Sequence, residues 1–187
     1  VRKNPEIVPL VKAVYYMGGS IDEPGNTSPA AEFNWWFDPE AIRIAVRTPF
    51  REQFIVPTDV AEKVYYTKAE YDRIANAPET PITKLFKQMQ GPRFERDPAS
   101  RSHVWDAMTA GIFLRPGLAT KLVERYLDID VTYGPNYGRS IGYHQSRRRS
   151  LDQPSDFPAG TQKVKVLMEI DAKGFWDLYV DLMTKPR

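Results

Sequence analysis

The chain has 187 residues, 42% hydrophobic and 27% charged, with a formal net charge of +2 and no cysteine. That length fits a single domain over residues 1–187 with a sizeable core, and no apolar run reaches the ~20 residues that would span a bilayer. So small a charge argues against a chain built around phosphate neutralisation, and the lack of cysteine excludes disulfides, thiolate metal sites and a cysteine nucleophile.

Residues 5–12, PEIVPLVK, read as the end of a helix or a connection. The apolar run AVYYM at 13–17 ends at Gly18-Gly19, as a buried strand feeding a functional loop does. Asp38-Pro39-Glu40 is a helix start: a capping carboxylate, proline at the first helical position, then an acid near the positive dipole end. QFIVP at 53–57 is a second short strand, and Thr58-Asp59 caps another helix. Strand, loop, helix, strand, helix argues an α/β fold with a parallel sheet. Thr67 and Glu70 have capping-box spacing and open a helix to about Asn76. PITKLFKQMQ follows as a helix, residues 91–102 as a mobile loop, and 103–114 as a helix. LDIDVTY and KVKVLMEI alternate in period two, as half-exposed antiparallel strands do, and DAKGFWDLYVDLM places Phe175, Leu178, Tyr179 and Leu182 on one stripe of a closing helix.

Two places combine polar groups with contexts that expose them. One is the loop after the strand at 13–17, because ligands of open α/β sheets bind outside the carboxyl ends of strands; it carries Met17, Asn26, Glu32 and Asn34. The other is His103-Val104-Trp105-Asp106 at a helix start, where positions 103 and 106 share a helical face. Each residue also has a plainer reading. Asn26 after Gly25 is a common turn pair, Glu32 and Asn34 suit local caps, Asp106 is a first-turn acid favoured by the helix dipole, and Trp105 and His103 suit a core and a surface position. Arg147, Arg148 and Arg149 suit a solvated loop.

In combination these residues resemble a known family. MGGSIDEPGNTSPAAEFNWWFDPEA is similar to the central signature of the nucleoside hydrolases, and HVWDAMTAG to their later segment with a metal-binding aspartate at a helix start. The resemblance implies the C-terminal part of an open, mostly parallel Rossmann-like sheet flanked by helices, with peripheral antiparallel strands. It implies hydrolysis of the N-glycosidic bond of ribonucleosides to ribose and free base, with Asn26, Glu32 and Asn34 on the ribose hydroxyls, Met17 packed nearby and Asp106 a ligand of Ca2+. A ribosyl centre losing its base becomes oxocarbenium-like, so a carboxylate and amides on the sugar orient it and stabilise developing positive charge. Trp105 stands where broad-specificity members carry a histidine, as in the purine-specific branch, and an indole stacked on a purine favours protonation of the ring nitrogen. Purine nucleosides such as inosine are therefore expected as substrates, with His103 as a proton donor keeping a pyrimidine reading open.

The family's opening acidic cluster, Asp-x-Asp-x-x-x-Asp-Asp, is not found in these residues. The only Asp-x-Asp, Asp128-Ile129-Asp130, sits in an alternating strand pattern and does not match it. Calcium takes six to eight oxygen ligands, so activity is expected to need the family's N-terminal portion, carried on a separate polypeptide or on a part of the protein outside this chain. A homo-oligomer is expected from the family. Two other classes remain: a non-catalytic nucleoside- or ribose-binding module, and a nucleic-acid binder resting on Arg139 and Arg147 to Arg149. No signal-peptide pattern follows Val1, and no compartment is assigned, the cytoplasm being favoured.

Overall fold

The computed structural model describes residues 1–144 and 157–185; Arg147, Arg148 and Arg149 lie outside them. In chain order the elements are a 3-10 turn at Pro5–Leu10, β1 (Val14–Met17), α1 (Phe33–Phe37), α2 (Pro39–Arg47), β2 (Gln53–Val56), α3 (Thr58–Ala61), α4 (Lys68–Ala75), α5 (Pro81–Arg96), α6 (Trp105–Leu114), a 3-10 turn at Pro116–Leu118, β3 (Ala119–Ile129), β4 (Ser140–Tyr143), β5 (Gln162–Ile170) and α7 (Ala172–Thr184). They divide into two compact units, Val1–Val60 with Lys121–Glu169, and Ala61–Thr120 with Ile170–Arg187.

The first unit is organised around the sheet, with strand order β1-β2-β5-β3-β4. β1 runs parallel to β2 in the register Val14↔Gln53 to Met17↔Val56, β2 runs parallel to β5, and β3 is antiparallel to β4. KVKVLMEI is thus not an antiparallel strand where it meets β2. Its alternation arises because Val164 and Val166 are buried while Lys163 and Lys165 reach Glu124 and Glu52 on the surface, and period two reports one buried face rather than strand direction. LDIDVTY is strand only as far as Ile129. Beyond it the Asp130 carboxylate accepts the Thr132 N–H, which turns the chain.

The core of this unit joins Trp35, Val46, Ile55, Leu127, Ile129, Val164 and Val166, with Tyr16 and Ile42 packed against them. Asp38 caps α2 by accepting the Ala41 N–H at 2.9 Å, with Pro39 at the first helical position. One face of α2 meets that core. The same helix sends Arg43 and Arg47 to Asp128, whose buried carboxylate accepts Arg43 Nε at 3.0 Å, Arg47 Nε at 2.8 Å and Arg47 Nη2 at 2.6 Å. Asp128 therefore ties helix to sheet and belongs to no acidic cluster among the described residues.

The second unit is helical. Thr67 and Glu70 form the expected capping box at the start of α4. α5 runs on to Arg96, so residues 91–96 are helix and not loop, despite Gly91 and Pro92. Burial of Phe94 against Tyr66 and Tyr71 offsets the N–H that Pro92 lacks. Residues 100–102 are held as well, since Arg93 donates to the hydroxyls of Ser100 and Ser102, both at 2.7 Å. α6 and α7 pack through Gly111 and Phe175, where a Cβ on the glycine would approach the phenyl ring to 3.1 Å. The stripe of Phe175, Leu178, Tyr179 and Leu182 lines a small apolar groove with Ala107, Ala110 and Leu114. Among the described residues no helix is long and apolar enough to cross a membrane.

Candidate active site

β1 and β2 are parallel and in register, so the segments leaving Met17 and Val56 emerge on the same edge of the sheet. A loop there meets an unusual constraint: the Trp35 ring lies directly on its backbone. A Cβ on Gly18 would fall 2.4 Å from Trp35 Nε1, and one on Gly19 would fall 2.7 Å from the same ring. Both glycines also have positive φ, 144° and 77°. Met-Gly-Gly is therefore the strand end that lets the indole, 2% exposed, close the core beneath the loop. Gly18→Ala is expected to destabilise the protein by about 1–3 kcal/mol, the usual cost of overpacking, read as a lower urea midpoint with an unchanged slope.

Glu32 is buried and accepts three backbone N–H groups: Gly19 at 2.8 Å and Trp35 at 3.2 Å on Oε2, and Asn34 at 2.8 Å on Oε1. It is the N-cap of α1 and at the same time a clamp on the loop. A carboxylate has about four acceptor positions, and three of those on Glu32 are taken by these backbone donors. Asn26 Oδ1 accepts the Phe33 N–H at 2.9 Å, satisfying another N-terminal donor of α1 across seven residues of chain. Asn34 is exposed, and its amide nitrogen lies 3.4 Å from the Met17 carbonyl oxygen and 3.1 Å from Met17 Sδ. The four residues of the first motif thus converge on one short stretch at the carboxyl end of β1. Glu32 and Asn26 are already engaged with backbone, whereas the Asn34 amide and the Met17 side chain meet at the surface.

The second unit carries the other motif. α6 begins at Trp105 with Val104 as its N-cap, so His103 precedes the helix and does not share a helical face with Asp106. Ring contacts join His103 to Trp105 and Tyr65 instead. His103 stands 5.3 Å from Trp105 and 4.9 Å from Tyr65, centroid to centroid, and the Arg101 guanidinium lies 5.5 Å from the Tyr65 ring. His103 Nδ1 is buried with no hydrogen-bond partner among the described residues. Tyr65 and Trp105 are partly exposed, so the array is accessible to solvent. Asp106 is exposed in the first turn of α6.

The parts played by two residues, one in each unit, were not singled out by sequence. Asp59 reads there as a cap, but its carboxylate instead accepts the N–H groups of Ile21 and Asp22. Tyr65 carried no signal, because nothing in its sequence neighbourhood announces the contact with His103.

Residues 1–177 match the sequence profile of the inosine-uridine preferring nucleoside hydrolases. The chain belongs to that family. It is 30% identical over 183 residues to a putative pyrimidine-specific ribonucleoside hydrolase of Shigella boydii, an alignment covering 95% of this chain and 69% of the relative. The pyrimidine-specific ribonucleoside hydrolase of Escherichia coli is equally similar, with 54% of its length covered. Among solved structures, a plant nucleoside hydrolase superposes with a TM-score of 0.83 at 21% identity, covering 100% of this chain and 57% of the other. The purine-preferring ribonucleoside hydrolase of Gardnerella vaginalis gives 0.76 at 21% identity, covering 98% and 55%. These structural likenesses establish the fold: an open, mostly parallel α/β sheet with helices. The chain spans little more than half the length of most of these relatives.

The nucleoside hydrolase reading implies a metal ion, and the residues present do not by themselves fit one. Among the described residues no group of three or more His, Cys, Asp or Glu side chains could hold a metal. Asp106 offers one carboxylate, two oxygens at most, where a calcium ion takes six to eight.

Proposed function

We propose that this chain forms part of a ribonucleoside hydrolase in which a water oxygen bonds C1′ of ribose as the bond from C1′ to the base nitrogen breaks, releasing ribose and the protonated free base. The observation that supports it most is the meeting of the Met17 and Asn34 side chains at the carboxyl end of a parallel strand, on a loop pinned by the buried Glu32. In this reading the Asn34 amide and the remaining acceptor position of Glu32 take ribose hydroxyls, Met17 packs on the sugar, and Asn26 holds the loop and helix that present them. As C1′ loses its base it gains positive charge, which the Glu32 carboxylate stabilises at short range. Asp106 contributes one ligand to a calcium site whose other oxygens come from the N-terminal portion of the hydrolase, on this or another polypeptide. The assembled enzyme is a homo-oligomer, which light scattering on the purified protein would test.

The leaving base needs a proton, and the family reading gives Trp105 or His103 the part of promoting or supplying it. Trp105 stacks on a purine and favours protonation of its ring nitrogen. His103, one of whose ring nitrogens has no protein partner among the described residues, is the donor in the alternative, pyrimidine reading. The relatives' names point both ways, to pyrimidine-specific and to purine-preferring enzymes. Sugar release from inosine and from uridine, with and without a chelator, tests the whole proposal. We expect chelator-sensitive release with inosine favoured, and Trp105→Ala to lower kcat/KM for inosine by about 10–100-fold, the order of one lost aromatic stack of ~1–3 kcal/mol, with a smaller effect on uridine. Nucleoside binding without release would favour a ribose-binding module, and salt-sensitive binding of oligonucleotides would favour a nucleic-acid role.

A further inference from the structure

The loop that leaves β1 has no regular structure between residues 18 and 32, yet its first residues are held from two sides by buried carboxylates. Glu32 takes the Gly19 N–H from within the loop's own segment. The other hold comes from the neighbouring strand. Immediately after β2, Thr58 donates its N–H to the Gly19 carbonyl at 3.0 Å and its hydroxyl to the same oxygen at 3.2 Å. Asp59, 2% exposed, then accepts Ile21 N–H on Oδ2 at 2.8 Å and Asp22 N–H on Oδ1 at 2.7 Å. Each carboxylate oxygen thus meets one backbone donor, and two consecutive residues of one strand end make four hydrogen bonds to three consecutive peptide units of another. Nearby hydroxyls take no part in this hold, since Ser20 Oγ and Ser140 Oγ are buried without a hydrogen-bond partner among the described residues.

We propose that Asp59, assisted by Thr58, is a positioning residue for the sugar site, an inference that rests on the hydrolase reading above. Asp59 touches no substrate; it fixes the conformation of the chain running from Met17 to Asn26. If the loop is competent in only a fraction of molecules, the apparent affinity for the sugar falls by that fraction, while turnover of the complex, once formed, is little changed. A charged acceptor is needed because a neutral side chain of the same shape offers one acceptor and an NH2 group that would face a second donor.

Asp59→Asn tests this in two measurements on the same protein. Amide hydrogen exchange is expected to speed up by at least about tenfold at Ile21 or Asp22, with the amides of Val14–Met17 and of Gly19 unchanged. KM for the nucleoside is expected to rise by about tenfold with kcat changed less than threefold, as the fraction argument requires. Thr58→Val, which removes only the hydroxyl bond to Gly19, should shift KM in the same direction by a smaller factor, and it decides the question if Asp59→Asn does not fold. Unchanged exchange at both amides overturns the proposal. So does faster exchange with an unchanged KM, or a fall confined to kcat. If the wild-type hydrolase assembled with its N-terminal portion releases no sugar from any nucleoside, the hydrolase reading fails, and the exchange comparison still decides whether Asp59 holds the loop.

Discussion

Asn34→Ala is expected to lower kcat/KM for nucleoside hydrolysis by about 10²–10³-fold, the usual loss when one preorganised donor to a reacting group is removed. The structure makes the amide a good candidate for such a donor. Asn34 is exposed, and its contact with the Met17 carbonyl is 3.4 Å long, near the limit for a hydrogen bond, so turning the amide toward a hydroxyl sacrifices little. For the same reason the protein's stability should stay within about 0.5 kcal/mol of wild type, as for other surface substitutions. Steady-state sugar release and a thermal melt on one preparation separate the two effects. Arg148→Ala, a change in the arginine run, should leave turnover intact. A crippled Arg148→Ala beside a fully active Asn34→Ala would sink the assignment of the sugar site to this loop.

Asp128→Ala should destabilise the sheet by about 1–3 kcal/mol, because it leaves two partly buried guanidinium groups without their counter-charge. Urea denaturation would show the loss as a fall in midpoint. The same ion pairs also predict a pH dependence. Burial pushes the Asp128 carboxyl upward, but hydrogen bonds from Arg47 and Arg43 outweigh burial and hold it below the ordinary carboxylate value. A group whose folded pKa lies below its unfolded one binds its proton more tightly when unfolded. The stability it confers is therefore complete above an unfolded pKa of about 3.9 and drains away as pH falls through the depressed folded value. The variant should lose this part of the acid-side slope, and an unaltered acid limb would mean that Asp128 carries its charge for some other purpose.

Those two residues show what could and could not be read in advance. Asn34 stands in a run whose order and spacing mark a family, and its placement beside Met17 follows from a strand ending at Gly18-Gly19. Asp128 also stood out as half of an Asp-x-Asp pair, but nothing near it in sequence announces Arg43 and Arg47, which lie 85 and 81 residues away. The capping box of Thr67 and Glu70 and the proline-led start of α2 were legible for the opposite reason, since every atom involved lies within one turn of helix. The loop expected at 91–102 begins only after Arg96, because glycine and proline act as breakers only when no stronger interaction opposes them. Here the burial of Phe94 does oppose them.

The sequence by itself determined the family, the short strands read at 13–17 and 53–57, the helix starts, and the stretch that carries Asn26, Glu32 and Asn34, because all of these depend on residue types at fixed, short spacing. The tertiary structure alone decided that β5 runs parallel to β2, that Glu32 and Asp59 spend their carboxylates on backbone N–H groups of one loop, and that Tyr65 joins His103 and Trp105 in a ring array. Each of these is a contact between segments distant in sequence, whose energy is realised only once strands and helices have packed, and no local pattern of residues encodes it.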